Sequence, residues 1–216
     1  MKTPSLTHSP NPRADFLLTR RYFGKTLLSG ACVGVLVGAP GPALALDAET
    51  ARVLVSKLVD EVNAVIGSGR SEDQMIRQFE QIFVRYADVP FMARYALGAD
   101  GRGASDAQMK AFIAAFQGYI SRKYGQRFRE FIGGRLEVVR SRAIKSFFEV
   151  RTMVYLQGMA PFDVTFQLSN RSGDSRFVNM FIEGVNLLLT ERTEIGALLD
   201  RRGGSIDKLT RDLRDI

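Results

Sequence analysis

At 216 residues, with 45% hydrophobic and 25% charged content, the chain is long enough for one sizeable core and short for two. Its net charge of +7 suggests nucleic acid, but residues 1–45 carry five of the basic side chains and one acid, which leaves 25 against 22. A remainder of +3 argues against a nucleic-acid binder, and His8 and Cys32, the sole histidine and cysteine, lie in that same leading segment.

Thr19-Arg20-Arg21-Tyr22-Phe23-Gly24-Lys25, an apolar run from Thr26 to Ala39, and Pro42-Ala43-Leu44-Ala45 have the order of an export signal cleaved after Ala45. The paired arginines are similar to the twin-arginine consensus, and the expected location is the periplasm. Ser29 stands where a lipoprotein signal needs a Leu-like residue before Cys32, so lipidation is not expected. Residues 46–216 then form the mature domain, with neither His nor Cys nor Trp. Ser-His-Asp and Cys-His catalysis, zinc held by nitrogen or sulfur, and haem or iron–sulfur ligation through those residues lose their groups.

Asp47 caps a helix with Ala51, Leu54, Val55, Leu58, Val62, Val65 and Ile66 on one stripe, ending at Gly67. Ser71-Glu72-Asp73-Gln74 is a capping box for a second helix, with Met75, Phe79, Ile82, Phe83 and Tyr86 inward. Pro90 opens a short third helix, Phe91 to Leu97. A second capping box, Ser105 to Gln108, begins the longest helix, whose stripe runs from Met109 through Phe116 and Tyr124 to Phe131 before Gly133-Gly134.

Strands follow. Leu136 to Arg142 is the first, Phe147 to Gln157 the second, and Pro161 to Leu168 the third, where Phe162, Val164, Phe166 and Leu168 alternate with Asp163, Thr165 and Gln167. Arg176 to Leu189 reads as a fourth, and after Thr190 the helical period returns, with a break at Gly203-Gly204 and a cap at Ser205. Helices, then strands, then helices predict an α+β domain: an antiparallel sheet of four to five strands with helices on one face.

Three polar features bear on function. Ser205-Ile206-Asp207-Lys208 has the Ser-x-x-Lys spacing, but lacks the partner motifs and reads as a helix cap. Glu149 and Asp163, on neighbouring strands, are the acids a carboxylate-dependent enzyme would use if they converged in a cleft. Arg122, Lys123, Arg127 and Arg129 form a basic cluster, either a solvated helix face or a docking surface for acidic headgroups or a partner.

Leu97-Gly98, Arg102 with Ala104-Ser105 and Gln108, Phe112, Phe116 and Tyr124, Val150-Arg151-Thr152, Gly158, Pro161-Phe162-Asp163-Val164, Phe177-Val178-Asn179, and Ile182-Glu183-Gly184-Val185-Asn186-Leu187 with Arg192 occur in this order. Together they resemble the toluene-tolerance, or MlaC, family across nearly the whole mature chain. The resemblance implies a twisted sheet with helices on its concave side, enclosing an apolar cavity for the acyl chains of a phospholipid. It implies a carrier without enzymatic activity, metal or cofactor. That carrier would be a monomeric shuttle between an outer-membrane lipoprotein complex and an inner-membrane ABC transporter with an MCE-domain subunit, maintaining outer-membrane lipid asymmetry. Gly101 and Ser175 stand where the family usually has Trp, Asn179 where it has Asp, and Asn186 where it has Ser. These departures point to a divergent branch, with a hopanoid or another lipid as the alternative cargo.

On this reading the candidates for acyl contact are Phe83, Phe91, Tyr95, Phe116, Tyr119, Met153, Tyr155, Phe162, Val164, Phe166 and Phe181. Arg94, Arg151 and Arg192 are the candidates for the headgroup or mouth.

Overall fold

The computed structural model describes residues 47–216, all of which belong to one compact unit. The segment that the sequence predicts to be an export signal, with His8 and Cys32, lies outside the described residues.

Capping decides where the helices begin. The Asp47 side chain accepts from the Thr50 amide at 2.7 Å and starts α1, Ala48–Ile66, which stops at Gly67. The Ser71 box starts α2, Glu72–Tyr86. Helix α3, Val89–Leu97, is capped by Asp88, which accepts from the Phe91 amide at 3.0 Å, so it begins just before Pro90. The Ser105 box starts α4, Asp106–Arg127, and the chain then tightens into a 3₁₀ turn, Phe128–Phe131, that buries Phe128.

The five strands are β1, Arg135–Ile144; β2, Phe147–Tyr155; β3, Phe162–Ser169; β4, Arg176–Ile182; and β5, Val185–Asn186. They pair in sequence order, each antiparallel to the next. The register shifts between Val138 and Arg140 in β1, and between Gln167 and Leu168 where β3 meets β4. Such irregularities bend and twist a sheet.

The long fourth strand expected from Arg176 to Leu189 is divided. Glu183 and Gly184, both at positive φ (50° and 79°), form a tight hairpin, and Asn186 accepts from the Leu189 amide at 3.0 Å to start α5, Leu187–Arg201. Apolar content alone does not separate Val185 and Leu187–Leu189 from a strand; the left-handed turn and the cap do. After Gly203 and Gly204, Ser205 caps α6, Ile206–Asp215.

Alternation assigns the sheet faces. Val150, Thr152 and Val154 of β2 are buried, and opposite them on β3 stand Phe166, Val164 and Phe162 respectively. Helix α1 lies against β1 and β2 on this side, and Asn63 clamps it there: its amide donates to the Leu136 carbonyl and its oxygen accepts from the Leu136 amide, both at 2.9 Å. The outer face carries Glu137, Arg140 and Arg142 from β1, Glu149, Arg151 and Met153 from β2, and Asp163 and Thr165 from β3.

Candidate functional site

Where the buried sheet face meets α1, α2 and the 3₁₀ turn after α4, the packing leaves an apolar cavity of about 280 Å³. Leu58 and Val62 come from α1, Phe79, Ile82 and Phe83 from α2, and Phe128 and Phe131 from the 3₁₀ turn. The sheet supplies Leu136, Phe162, Val164, Phe166, Phe177, Met180 and Ile182. The rings brace one another: Phe79 stacks on Phe128 at 4.3 Å, and Phe177 stands edge-on to both Phe83 and Phe166 at 5.5 Å. The exposed members of the lining, Arg127, Glu130, Met159 and Glu183, mark where it opens to solvent.

Of the acyl-contact candidates, Phe83, Phe162, Val164 and Phe166 line this cavity. Phe116 and Tyr119 sit instead in a filled region with Phe112. Phe91 and Tyr95 lie on α3, away from the cavity lining. Met153, Tyr155 and Phe181 fall on the outer sheet face, because they are one residue out of phase with the buried Val154 and Val164. An aromatic on the wet face of a strand is as greasy in sequence as one on the dry face; only the register separates them.

None of the three mouth arginines lines the cavity. Arg94 donates to the Pro90 carbonyl at 3.3 Å, and Arg192 to the Tyr95 carbonyl at 3.4 Å with its guanidinium 5.3 Å from the Tyr95 ring. Arg151 pairs with Asp163 at 3.5 Å on the outer face. The cation at the opening is Arg127, and its membership of the basic cluster was the sequence signal for it. The other three members have separate structural uses. Arg122 donates to the Leu213 carbonyl at the end of α6, Lys123 is bound to Glu191, and Arg129 pairs with Glu72 at 3.2 Å.

Lys123 belongs to a polar knot between α4 and α5. Its ammonium donates to Glu191 at 2.8 Å, to Tyr119 at 3.0 Å and to Glu194, while the Tyr124 hydroxyl donates to the same Glu191 oxygen at 2.6 Å. Glu191 is fully buried. Burial opposes the charge on Lys123, but the hydrogen bonds to Glu191, Glu194 and Tyr119 outweigh it and hold its pKa above the ordinary lysine value. Burial pushes the Tyr119 hydroxyl up to about 12, and burial followed by the bond to Glu191 raises Tyr124 as well. Tyr124 also lines the cavity, so the knot fixes one of its walls.

The catalytic alternatives do not assemble. Glu149 pairs with Arg142 at 2.8 Å and lies opposite Gln167, whereas Asp163 lies opposite Met153 and pairs with Arg151. Both acids are on the outer face, each held by its own arginine, and neither lines the cavity. Ser205 accepts from the Lys208 amide at 3.4 Å, as a helix cap does.

The family model for the MlaC protein matches residues 56–215. The chain belongs to the MlaC family. Among solved structures it is similar to the phospholipid-binding protein from Ralstonia solanacearum, determined in complex with a phospholipid. The two share 20% sequence identity with a TM-score of 0.65, over 76% of this chain and 95% of the other. At that identity the likeness concerns the fold, the α+β architecture with its five-stranded antiparallel sheet. In MlaC terms, the Asn179–Asn186 pair that departs from the usual Asp and Ser keeps a neutral hydrogen bond. Asn179 Nδ2 donates to Asn186 Oδ1 at 3.1 Å, and Asn179 Oδ1 accepts from the Leu188 amide at 3.1 Å. With Asn at 179 the donor sits on β4, so residue 186 must accept, which Asn does while still capping α5.

Proposed function

We propose that the protein carries a phospholipid, holding its acyl chains in the cavity between the buried sheet face and α1, α2 and the 3₁₀ turn. The observation that carries this reading is the cavity itself: a space walled by Phe79, Phe83, Phe128, Phe162, Phe166 and Phe177 that opens at a charged rim. The phospholipid-bound relative of the same fold supports it.

The physical need is large. Exposing about thirty methylenes to water costs about 0.8 kcal/mol each, or roughly 24 kcal/mol in total, so an uncarried lipid does not cross an aqueous space at a useful rate. An apolar interior removes most of that penalty without any chemistry. A volume of about 280 Å³ lies near the lower end of sites for drug-sized ligands, about 300–1,000 Å³, so loading widens the cavity. Phe128 and Phe131 sit on the short 3₁₀ turn, a conformation with poorer hydrogen-bond geometry than an α-helix.

In this reading the protein works in the periplasm after loss of residues 1–45. It passes lipid between an outer-membrane lipoprotein complex and an inner-membrane MCE-domain transporter. Native mass spectrometry of protein purified from expressing cells is the test. Near-stoichiometric phospholipid is expected, and a bare polypeptide that also fails to take lipid from vesicles would remove the reading.

A further inference from the structure

Three charged side chains line the cavity, Arg127, Glu130 and Glu183, and all three are exposed at its opening. Among the described residues none of them makes an ion pair. Their neighbours behave differently: Arg129 is paired with Glu72, and Lys123 with Glu191 and Glu194. We propose that this rim selects lipids with a zwitterionic headgroup, a phosphodiester joined to an ammonium, over lipids whose headgroup is anionic. The inference rests on the phospholipid-carrier reading and adds to it the class of cargo.

The chemistry follows from charge and placement. Arg127 ends α4, and Glu130 lies three residues on, in the 3₁₀ turn, where residues three apart eclipse one another. A cation and a carboxylate therefore face the same side, one turn apart, at the helical edge of the opening. Glu183, in the turn between β4 and β5, lines the same opening. The Arg127 guanidinium offers a planar fork that fits a phosphodiester, and the two carboxylates are acceptors for an ammonium. With one positive and two negative groups the rim is net acidic. An anionic headgroup would gain Arg127 and meet two uncompensated carboxylates, whereas a zwitterion satisfies both signs. Low-dielectric walls beneath the opening focus that difference.

Glu183 supplies a second observation. It occupies the first left-handed position of the β4–β5 hairpin, φ 50°, where Asn, Asp or Gly suits the backbone better. The turn has no need of a glutamate there, and among the described residues the side chain has no hydrogen-bond partner that would hold the hairpin together.

The test loads the purified protein, stripped of lipid by detergent exchange, from vesicles containing equal phosphatidylethanolamine and phosphatidylglycerol, and measures bound lipid by mass spectrometry. Phosphatidylethanolamine should be enriched about three- to fivefold, the range expected of exposed charge pairs. The Glu130→Gln/Glu183→Asn variant should lose the preference, its bound lipid reaching an equal ratio of the two, and Asn at 183 suits the left-handed backbone, so folding is not at risk. The Glu130→Lys/Glu183→Lys variant should favour phosphatidylglycerol. Equal uptake of both lipids by the wild-type protein, or an unchanged preference in the double variants, overturns the selection while leaving the carrier reading intact. No uptake of either lipid by the wild-type protein overturns both.

Discussion

Two interiors share this domain, and they are built from the same residue types. One is filled: Met92 of α3, Phe112, Phe116 and Ile120 of α4, Ile195 of α5, and Leu209 and Leu213 of α6 are all completely or almost completely buried. The other is hollow, with seven Phe among the walls of a cavity of about 280 Å³. Helix α4 serves both, its first turns packing into the solid region and its last residues, Tyr124 and Arg127, turning to the opening. The contrast lies in the partners. Helices pack on helices in the first region and interlock, whereas in the second α1, α2 and the 3₁₀ turn meet a sheet face and leave a cavity between them.

The sharpest way to separate the two is to remove a ring from each. Phe116→Ala, in the filled region, should cost about 3–5 kcal/mol in denaturant unfolding, because nothing can collapse into the space. Phe166→Ala already faces a void and forfeits fewer contacts, so about 2 kcal/mol is expected. Equal losses would mean that the cavity walls are packed as tightly as the rest.

The knot of Lys123, Glu191, Tyr119 and Tyr124 fastens the filled region to the cavity wall, and its loss should come next in size. Lys123→Met leaves the fully buried Glu191 without its cation, a change worth about 3 kcal/mol. Because the folded-state pKa of Lys123 is raised, its contribution is complete below the ordinary value of 10.5 and fades only as pH climbs through the elevated one. Thermal melts of the wild-type protein should therefore show this contribution undiminished at neutral pH and losing strength only in strongly alkaline solution. In Lys123→Met that alkaline component should be absent.

Adding volume tests the same contrast from the other side. Ala93→Leu, on the buried face of α3, should cost about 1–3 kcal/mol by overpacking. Val164→Phe projects into the cavity and should change stability by less than about 1 kcal/mol while cutting lipid uptake from vesicles. A large loss of stability in Val164→Phe, with uptake retained, would place the cargo somewhere other than this cavity.

These regions differ in how far they could be read from the chain. The caps at Asp47, Ser71, Ser105 and Ser205, and the alternation of Phe162, Val164, Phe166 and Leu168, gave the elements and the order of the fold, because each signal is local. The hollow was not local. Phe83 and Phe116 sit on equally regular helical stripes, yet one faces the cavity and the other a filled core, and the difference depends on bulges and helix positions far away in sequence. Met153 and Tyr155 were misleading for a simpler reason, since each lies one residue from an inward position. Arg127 could be seen as part of a basic cluster, but separating it from Arg122, Lys123 and Arg129 required knowing which of the four had partners.

The smallest effect belongs to the rim of the hollow region, and it has the opposite sign. Glu183 holds a left-handed backbone conformation with no side-chain bond among the described residues to support it, so Glu183→Asn should raise stability by about 0.5–1 kcal/mol, measured as a higher urea midpoint at unchanged slope. Nothing comparable is available in the filled interior, where the positions named above already have well-packed neighbours. A gain from Glu183→Asn, coupled with altered lipid selection, would show stability given up at the opening for the sake of what enters it. A gain with selection unchanged would leave the strain at Glu183 without a part in binding.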